Sequence, residues 1–440
     1  MLYALRSFSR CRPFLHHHQL LSVRSITISQ TAAGVTVATF PEPGLTAGLS
    51  VIVGGGSRYE TDKTAGAAHY LKNYTFMNNK KRRALRIARE AELESAVLSR
   101  TLGYEYMSIQ AQFLKGDEDY FTEILSDVVC RQKYDPFEFA HVQKLVGLES
   151  NYARASPRIT GLEKAHMLAF RNGLGNPLFS GPLKINQSMV EAFSKEVYRP
   201  SNIVLIGRGV DHKKLLGYVH LNFDLEDTRK NEVMSVYYGG DERLLRDSDL
   251  GHCTIAFQGF PIGTHDYCAA SVLREYLDSN SNIKWSLGGS LLQAIQQKLS
   301  LESQITCFNL GYSDNGLFGV QIDALNSEMS RTLNLYKESI LSLNCDISDH
   351  DLYRAKNLAK MKCTNAIHNR LDFMDYMGYR ILNGHNEDVQ DILRDIDTID
   401  QKDIQRVVSK IFSSKPSMVT IGKLQALPYI DQYVANIRRN

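Results

Sequence analysis

Closely spaced cysteines are missing from the 440 residues. The seven that occur (Cys11, Cys130, Cys253, Cys268, Cys307, Cys345 and Cys363) are scattered and odd in number. Without a C-x-x-C, neither a disulfide framework nor a structural zinc site is expected, and free thiols in a reducing compartment are. Without a C-x-x-C-H or a cysteine cluster, no haem or iron–sulfur cofactor is expected. Nor does any run approach the roughly 18 consecutive apolar residues of a membrane-crossing helix. A surplus of one charge is lacking too. The 51 basic and 48 acidic residues leave a net charge of +3, which demands no polyanion, so no nucleic-acid partner is expected. With 43% hydrophobic and 22% charged residues, 30 Gly and 11 Pro, the chain is neither collagen-like, nor low-complexity, nor disordered. At about 100–200 residues per domain, its length implies two to four domains.

Acidic residues are absent from the first 41 positions, the first being Glu42. The same stretch carries Arg6, Arg10, Arg12 and Arg24, with serines spaced between apolar residues. Leu2, Leu5, Phe8, Phe14 and Leu15 share one side of a helix. A cationic amphipathic helix of this kind is drawn inward by a negative-inside potential, which predicts a mitochondrial presequence over residues 1–25. A secretory signal needs an unbroken apolar run, and Arg10, Arg12 and His16–His18 interrupt it.

Beyond it the pattern is of short strands and longer helices. GVTVATF and LTAGLSVIV, separated by Pro41-Glu42-Pro43-Gly44, predict a hairpin within 34–53. Gly54–Gly56 lacks the lysine or spaced glycines of a phosphate loop and is expected to be a strand-ending turn. Residues 65–77 read as a helix, and 80–103 as a long charged helix with Leu85, Ala88, Leu93, Val97 and Leu98 near helical spacing. Lys80–Arg83 is expected to be its solvated start. Residues 104–114 read as a strand, 120–132 and 155–174 as helices, and 202–211 as a buried strand. After a polar connector at 224–232, strands are expected at 252–261 and 304–325 (two around a Ser-Asp-Asn-Gly turn), helices at 266–279 and 329–344, and a closing strand at 417–423. The order strand–helix–strand–strand–helix occurs twice. Two similar α/β units are therefore expected, over 26–215 and 237–440, joined by a linker at 216–236.

One helix carries the informative residues: Gly66-Ala67-Ala68-His69-Tyr70-Leu71-Lys72-Asn73-Tyr74-Thr75-Phe76. His69 and Asn73 are four apart and share a face. The segment resembles the inverzincin pattern H-x-x-E-H, in the form G-x-A-H-F-L-E-H-x-x-F of the pitrilysin-like peptidases, the family that includes mitochondrial processing peptidase. The frame is kept and the two acting positions differ. A catalytic zinc needs three lone-pair donors and an open position. Asn73 offers a neutral amide, a poor ligand beside imidazole. Lys72 stands where the proton acceptor belongs, and an ammonium of pKa near 10 accepts no proton from water at neutral pH. The family's third ligand is a glutamate some 80 residues on, and Glu149 matches it by count.

Tyr312-Ser313-Asp314-Asn315-Gly316-Leu317-Phe318-Gly319 resembles the family's Y-x-D-x-G-L-F-G turn. By that register, the arginine and tyrosine that hold substrate in active members are replaced by Gln296 and Ser303. The resemblance covers nearly the whole chain after the presequence, including Tyr238–Arg243 with the following HCTIAFQGFP. It implies an α/β (α+β) fold of two similar domains, each a mainly antiparallel sheet flanked by helices. It implies no catalytic residue, no metal and no cofactor. AFRNGLGNPLFSG (169–181) and NIVLIGRGVDHKKL are closer to the branch of core subunits in ubiquinol–cytochrome c reductase. For that branch the resemblance implies a peripheral place on the matrix side of the mitochondrial inner membrane. It implies a heterodimer with core protein 1, and contact with cytochrome b, cytochrome c1 and other subunits of the complex. The alternative is the non-catalytic, presequence-recognising subunit of mitochondrial processing peptidase, which carries a long glycine-rich loop. Here the corresponding stretch, 284–293, has only Gly288 and Gly289 side by side. That is too short for a mobile flap.

Overall fold

A computed structural model describes residues 26–430 apart from 182–184, 226–233, 279–289, 301–302, 343–346, 424, 426 and 428. The expected presequence, most of the polar connector and the Gly288–Gly289 turn lie outside the described residues. The first half comprises β1 (Thr27–Gln30), β2 (Thr36–Phe40), β3 (Thr46–Val53), α1 (Ala67–Tyr74), α2 (Ala84–Leu93), β4 (Val97–Leu102), β5 (Met107–Leu114), α3 (Glu118–Cys130), α4 (Pro136–Ala155), α5 (Pro157–Phe170), α6 (Gln187–Val197), β6 (Ile203–Arg208) and α7 (His212–Asn222). The second comprises β7 (Gly240–Leu245), β8 (Leu250–Gln258), α8 (His265–Leu277), α9 (Leu291–Gln296), β9 (Gln304–Gly311), β10 (Gly316–Leu325), α10 (Met329–Ser342), α11 (Asp349–Ala366), α12 (Arg370–Leu382), α13 (Val389–Thr398), α14 (Gln401–Ser413) and β11 (Ser417–Gly422).

The strands form two sheets, ordered β1-β2-β6-β3-β5-β4 and β7-β11-β8-β10-β9. Apart from the added β1 the two orders are the same, with β6 in the place of β11 and β3 in the place of β8. In each sheet one pairing is parallel, β2 with β6 and β7 with β11, and the rest are antiparallel. The duplicated α/β plan with mainly antiparallel sheets is thus present in both halves. Among the described residues Cys130, Cys253, Cys268, Cys307 and Cys363 are free.

Two local expectations fail. β2 and β3 do not form a hairpin, because β6 lies between them, parallel to one and antiparallel to the other. β3 is buried at seven of its eight positions. Such a strand needs partners on both edges, and the equally apolar β6 supplies one. The helix expected over 80–103 covers only α2. Ser95 turns to φ 53°, and Val97–Leu102 becomes the edge strand β4 against β5, from Val97 opposite Gln112 to Leu102 opposite Met107. β-branched Val97 and Thr101 suit that strand, and backbone pairing overrides the weak helical spacing. Lys80–Arg83 leads into α2 as expected, with Lys80, Lys81 and Arg83 exposed and Arg83 at the N-cap; Arg82 is the exception. Arg82 turns inward to the fully buried Asp127 and to Glu123.

The helices bind the halves together by exchange. α5, from the first half, lies on β8 and β11, where Ala165, Ala169 and Phe170 pack with Ala256, Val419 and Ile421. α12, from the second half, lies on β3 and β6, where Phe373, Met374 and Met377 pack with Ile52, Val204 and Ile206. Each crossing helix carries a glycine where a side chain would meet the sheet. An added Cβ at Gly161 would fall 2.6 Å from His252 Nε2, and one at Gly378 would overlap Ile52. β8 and β3 are equivalent strands, so the two contacts are counterparts in the duplicated plan. The chain expected to link the units from 216 onward is helical as far as Asn222, with Leu215 and Val219 in the first core.

Candidate functional site

α1 is short and starts with help from outside. Both oxygens of Glu60 accept from its first turn, Oε2 from Gly66 N and Oε1 from Ala68 N, each at 2.7 Å. Burial pushes the Glu60 carboxyl up to about 8, against the pull of those two bonds. The helix ends when Thr75 N–H returns to Lys72 O. Between these ends, His69 and Asn73 point toward α4 and are fully buried.

On α4, Glu149 meets them. His69 Nε2 is 2.5 Å from Glu149 Oε2. Lys72 Nζ donates to both carboxylate oxygens, at 2.9 and 2.8 Å. Asn73 Nδ2 donates to Oε2 at 2.9 Å and to His69 O at 3.1 Å. The three positions that the sequence singled out on α1, and the glutamate found by counting, are therefore one cluster. Burial alone would raise the Glu149 carboxyl. The hydrogen bonds from His69, Lys72 and Asn73 outweigh it and hold the group well below the ordinary carboxylate range.

The surroundings fix the His69 and Asn73 donors. Ser180 N–H donates to His69 Nδ1 at 3.1 Å, so the proton of the neutral ring is on Nε2 and points at Glu149. Phe179 packs edge-on against the ring, with centroids 5.5 Å apart. Arg100, on β4, donates to Thr75 O at 2.8 Å and to Asn73 Oδ1 at 3.3 Å. The Asn73 amide oxygen therefore faces Arg100, away from the carboxylate.

These residues do not fit a zinc ion. Ligand atoms at about 2.0–2.1 Å around a tetrahedral zinc stand about 3.3 Å apart. Here an imidazole nitrogen and a carboxylate oxygen are joined directly at 2.5 Å. Both imidazole nitrogens are engaged, the only ligating atom of Asn73 is turned away, and an ammonium bridges Glu149. Among the described residues no group of three or more His, Cys, Asp or Glu side chains is disposed to hold a metal.

The two expected substrate-clamp positions lie apart from this cluster in the fold. Gln296 ends α9, and Ser303 stands just before β9, buried, with Oγ 3.0 Å from Ser300 Oγ. Neither position offers a guanidinium or a phenol. Sequence reasoning missed Arg100, because β4 was read as helix. It also missed Ser180, whose contribution is a backbone N–H that no motif records. The Tyr312–Gly319 turn, which served only to set a register, fastens the halves. Tyr312 OH donates to His166 Nε2 at 2.6 Å, and Asp314 holds Arg58 through 2.8 and 2.6 Å contacts.

Comparison with known proteins agrees with this geometry. Residues 36–181 match the family described as Insulinase (Peptidase family M16), and residues 184–359 match the Peptidase M16 inactive domain. The mitochondrial cytochrome b-c1 complex subunit 2 of Cryptococcus neoformans is 31% identical over 98% of this chain and 99% of its own length. Its counterpart in Neurospora crassa is 30% identical over 91% of this chain and 89% of its own length. The mitochondrial-processing peptidase subunit alpha of Solanum tuberosum is 27% identical over 93% of this chain and 84% of its own length.

Proposed function

The chain belongs to peptidase family M16, and we propose that it is a non-catalytic core subunit of mitochondrial ubiquinol–cytochrome c reductase. The end-to-end similarity to cytochrome b-c1 complex subunit 2 carries this reading. The state of the α1–α4 cluster supports it. A hydrolase of this family needs a metal and a proton acceptor, and His69, Lys72, Asn73 and Glu149 are spent on one another. Gln296 and Ser303 likewise lack the groups to clamp a substrate backbone.

The role is mechanical. Two sheets, each covered by a helix from the other half, make a rigid block suited to bearing load. On this reading residues 1–25 direct import, and the two units expected over 26–215 and 237–440 follow, the first extended by α7 to Asn222. The block pairs with core protein 1 and supports cytochrome b, cytochrome c1 and other subunits from the matrix side of the inner membrane. No helix among the described residues is long and apolar enough to cross a membrane. A peripheral subunit needs none. The chain needs no cofactor for this task and serves assembly and stability of a complex whose redox chemistry is carried elsewhere.

Native electrophoresis of detergent-solubilised mitochondria bearing the tagged chain tests the proposal. Co-migration with cytochrome b, with respiratory deficiency and normal presequence cleavage on loss of the chain, is the expected result. The similarity to the processing-peptidase alpha subunit defines the opposing one. Accumulated uncleaved precursors, with the tagged chain migrating apart from cytochrome b, would assign it to presequence recognition.

A further inference from the structure

The charge that opposes Glu149 comes from the chain itself. Lys72 Nζ touches both oxygens of the carboxylate, and its side chain is 15% exposed. It approaches from the same helical turn as His69 and Asn73, so three donors of α1 converge on one group of α4. Arg100, the neighbouring cation, gives its protons to Thr75 O and Asn73 Oδ1 and makes no bond to the carboxylate. A divalent ion in such a site does two things: it neutralises the carboxylate and ties together the elements that carry the ligands. The ammonium here is positioned for both.

We propose that Lys72 is the resident cation of this site: a tethered ammonium that fastens α1 to α4 through Glu149 and, by its occupancy, refuses divalent metals. The inference rests on the metal-free reading of the site and is independent of which assembly the chain joins. Removing the lysine leaves an ionised, half-buried carboxylate with no cation bonded to it and only the unbonded charge of Arg100 nearby, a costly state. Removing both charges leaves no such imbalance.

The test is a double-mutant cycle on the purified full-length mature chain, followed by thermal unfolding. Lys72→Met is expected to lower Tm by roughly 2–4 °C, and adding Glu149→Gln to recover at least half of that loss. Lys72→Arg keeps the charge and is expected to stay near the parent. Additive losses in the cycle, or an arginine variant as damaged as the methionine one, overturn the tether. If Lys72→Met alone does not fold, folding of the double variant supports it and failure of both opposes it. Zinc content after equilibration and dialysis supplies the second readout. The parent is expected to retain essentially none, and the pair K72E/N73H, which restores a proton acceptor and a second imidazole, about one ion per chain. Failure of that pair to bind zinc overturns the exclusion by Lys72 and Asn73. Stoichiometric zinc in the parent would instead overturn the metal-free reading itself.

Discussion

Asn73 has the most constrained side chain of the cluster, since both ends of its amide are used. Nδ2 serves Glu149 and His69 O, and Oδ1 takes Arg100. Asn73→Ala removes a buried donor and acceptor together and leaves Arg100 short of a partner. A loss of about 1–3 kcal/mol is expected, measured as a shift in the urea midpoint with unchanged slope. An unchanged midpoint would show that water replaces the amide at no cost. The identities in this cluster were legible from the chain because chemistry and spacing sit in one helix: His69, Lys72 and Asn73 fall on one turn. Glu149 needed a count taken from a family pattern, since nothing within α4 marks it among other helix glutamates. The tautomer of His69 and the direction of Asn73 were not legible, because Ser180 and Arg100 come from elements distant in sequence.

At the scale of elements, the meeting of α12 with the first sheet holds a titratable group. Asp375 accepts from Thr101 Oγ1 at 3.0 Å, Gln110 Nε2 at 2.7 Å and Ser108 Oγ. Burial, with Asp372 nearby, pushes its carboxyl up to about 6 against the hydrogen bonds of Ser108 and Thr101. The unfolded value is near 3.9. Between about pH 4 and 6 the folded chain therefore keeps a proton that the unfolded chain has lost. By linkage, the contribution of Asp375 to stability falls as pH rises through this window and levels off above it, by an amount on the order of 2–3 kcal/mol, whereas that of Glu60, held up to about 8, goes on falling to higher pH. Asp375→Asn is expected to remove that fall. Urea melts at pH 4, 5, 6 and 7 check it, and a variant with the parent's slope contradicts it. The residues that make this contact show why some elements misled. β4 supplies Thr101, yet the charged stretch before it has helical spacing through Leu98. Only the pairing of Val97–Leu102 with β5 decides the matter. β2 and β3 looked like a hairpin because they are neighbours in sequence, whereas β6, some 150 residues on, takes the place between them.

The duplication was legible at the scale of the whole molecule, since the closing strand of each half, β6 and β11, could be matched by pattern and occupies the same place in its sheet. The exchange of α5 and α12 was not. An apolar helix face tells that it is buried, not on which sheet. That exchange makes one cooperative body of two units, and Arg58 is its fastener. The guanidinium, 8% exposed, spans Asp314 of the second half with two bonds and also meets Glu105, which Tyr379 of α12 contacts in turn. Arg58→Ala strands two nearly buried carboxylates, Glu105 and Asp314, at the junction. Breaking a buried pair from one side costs about 3–5 kcal/mol. The cost falls on the contact between halves rather than inside either core, so the loss is expected to be visible as lost cooperativity. Calorimetry should show the parent's single transition lowered and broadened toward two, one for each half. Arg58→Ala/Asp314→Asn should recover part of the loss, because one of the two stranded charges is gone. A variant that melts as sharply and as high as the parent would mean that the exchanged helices alone hold the halves together.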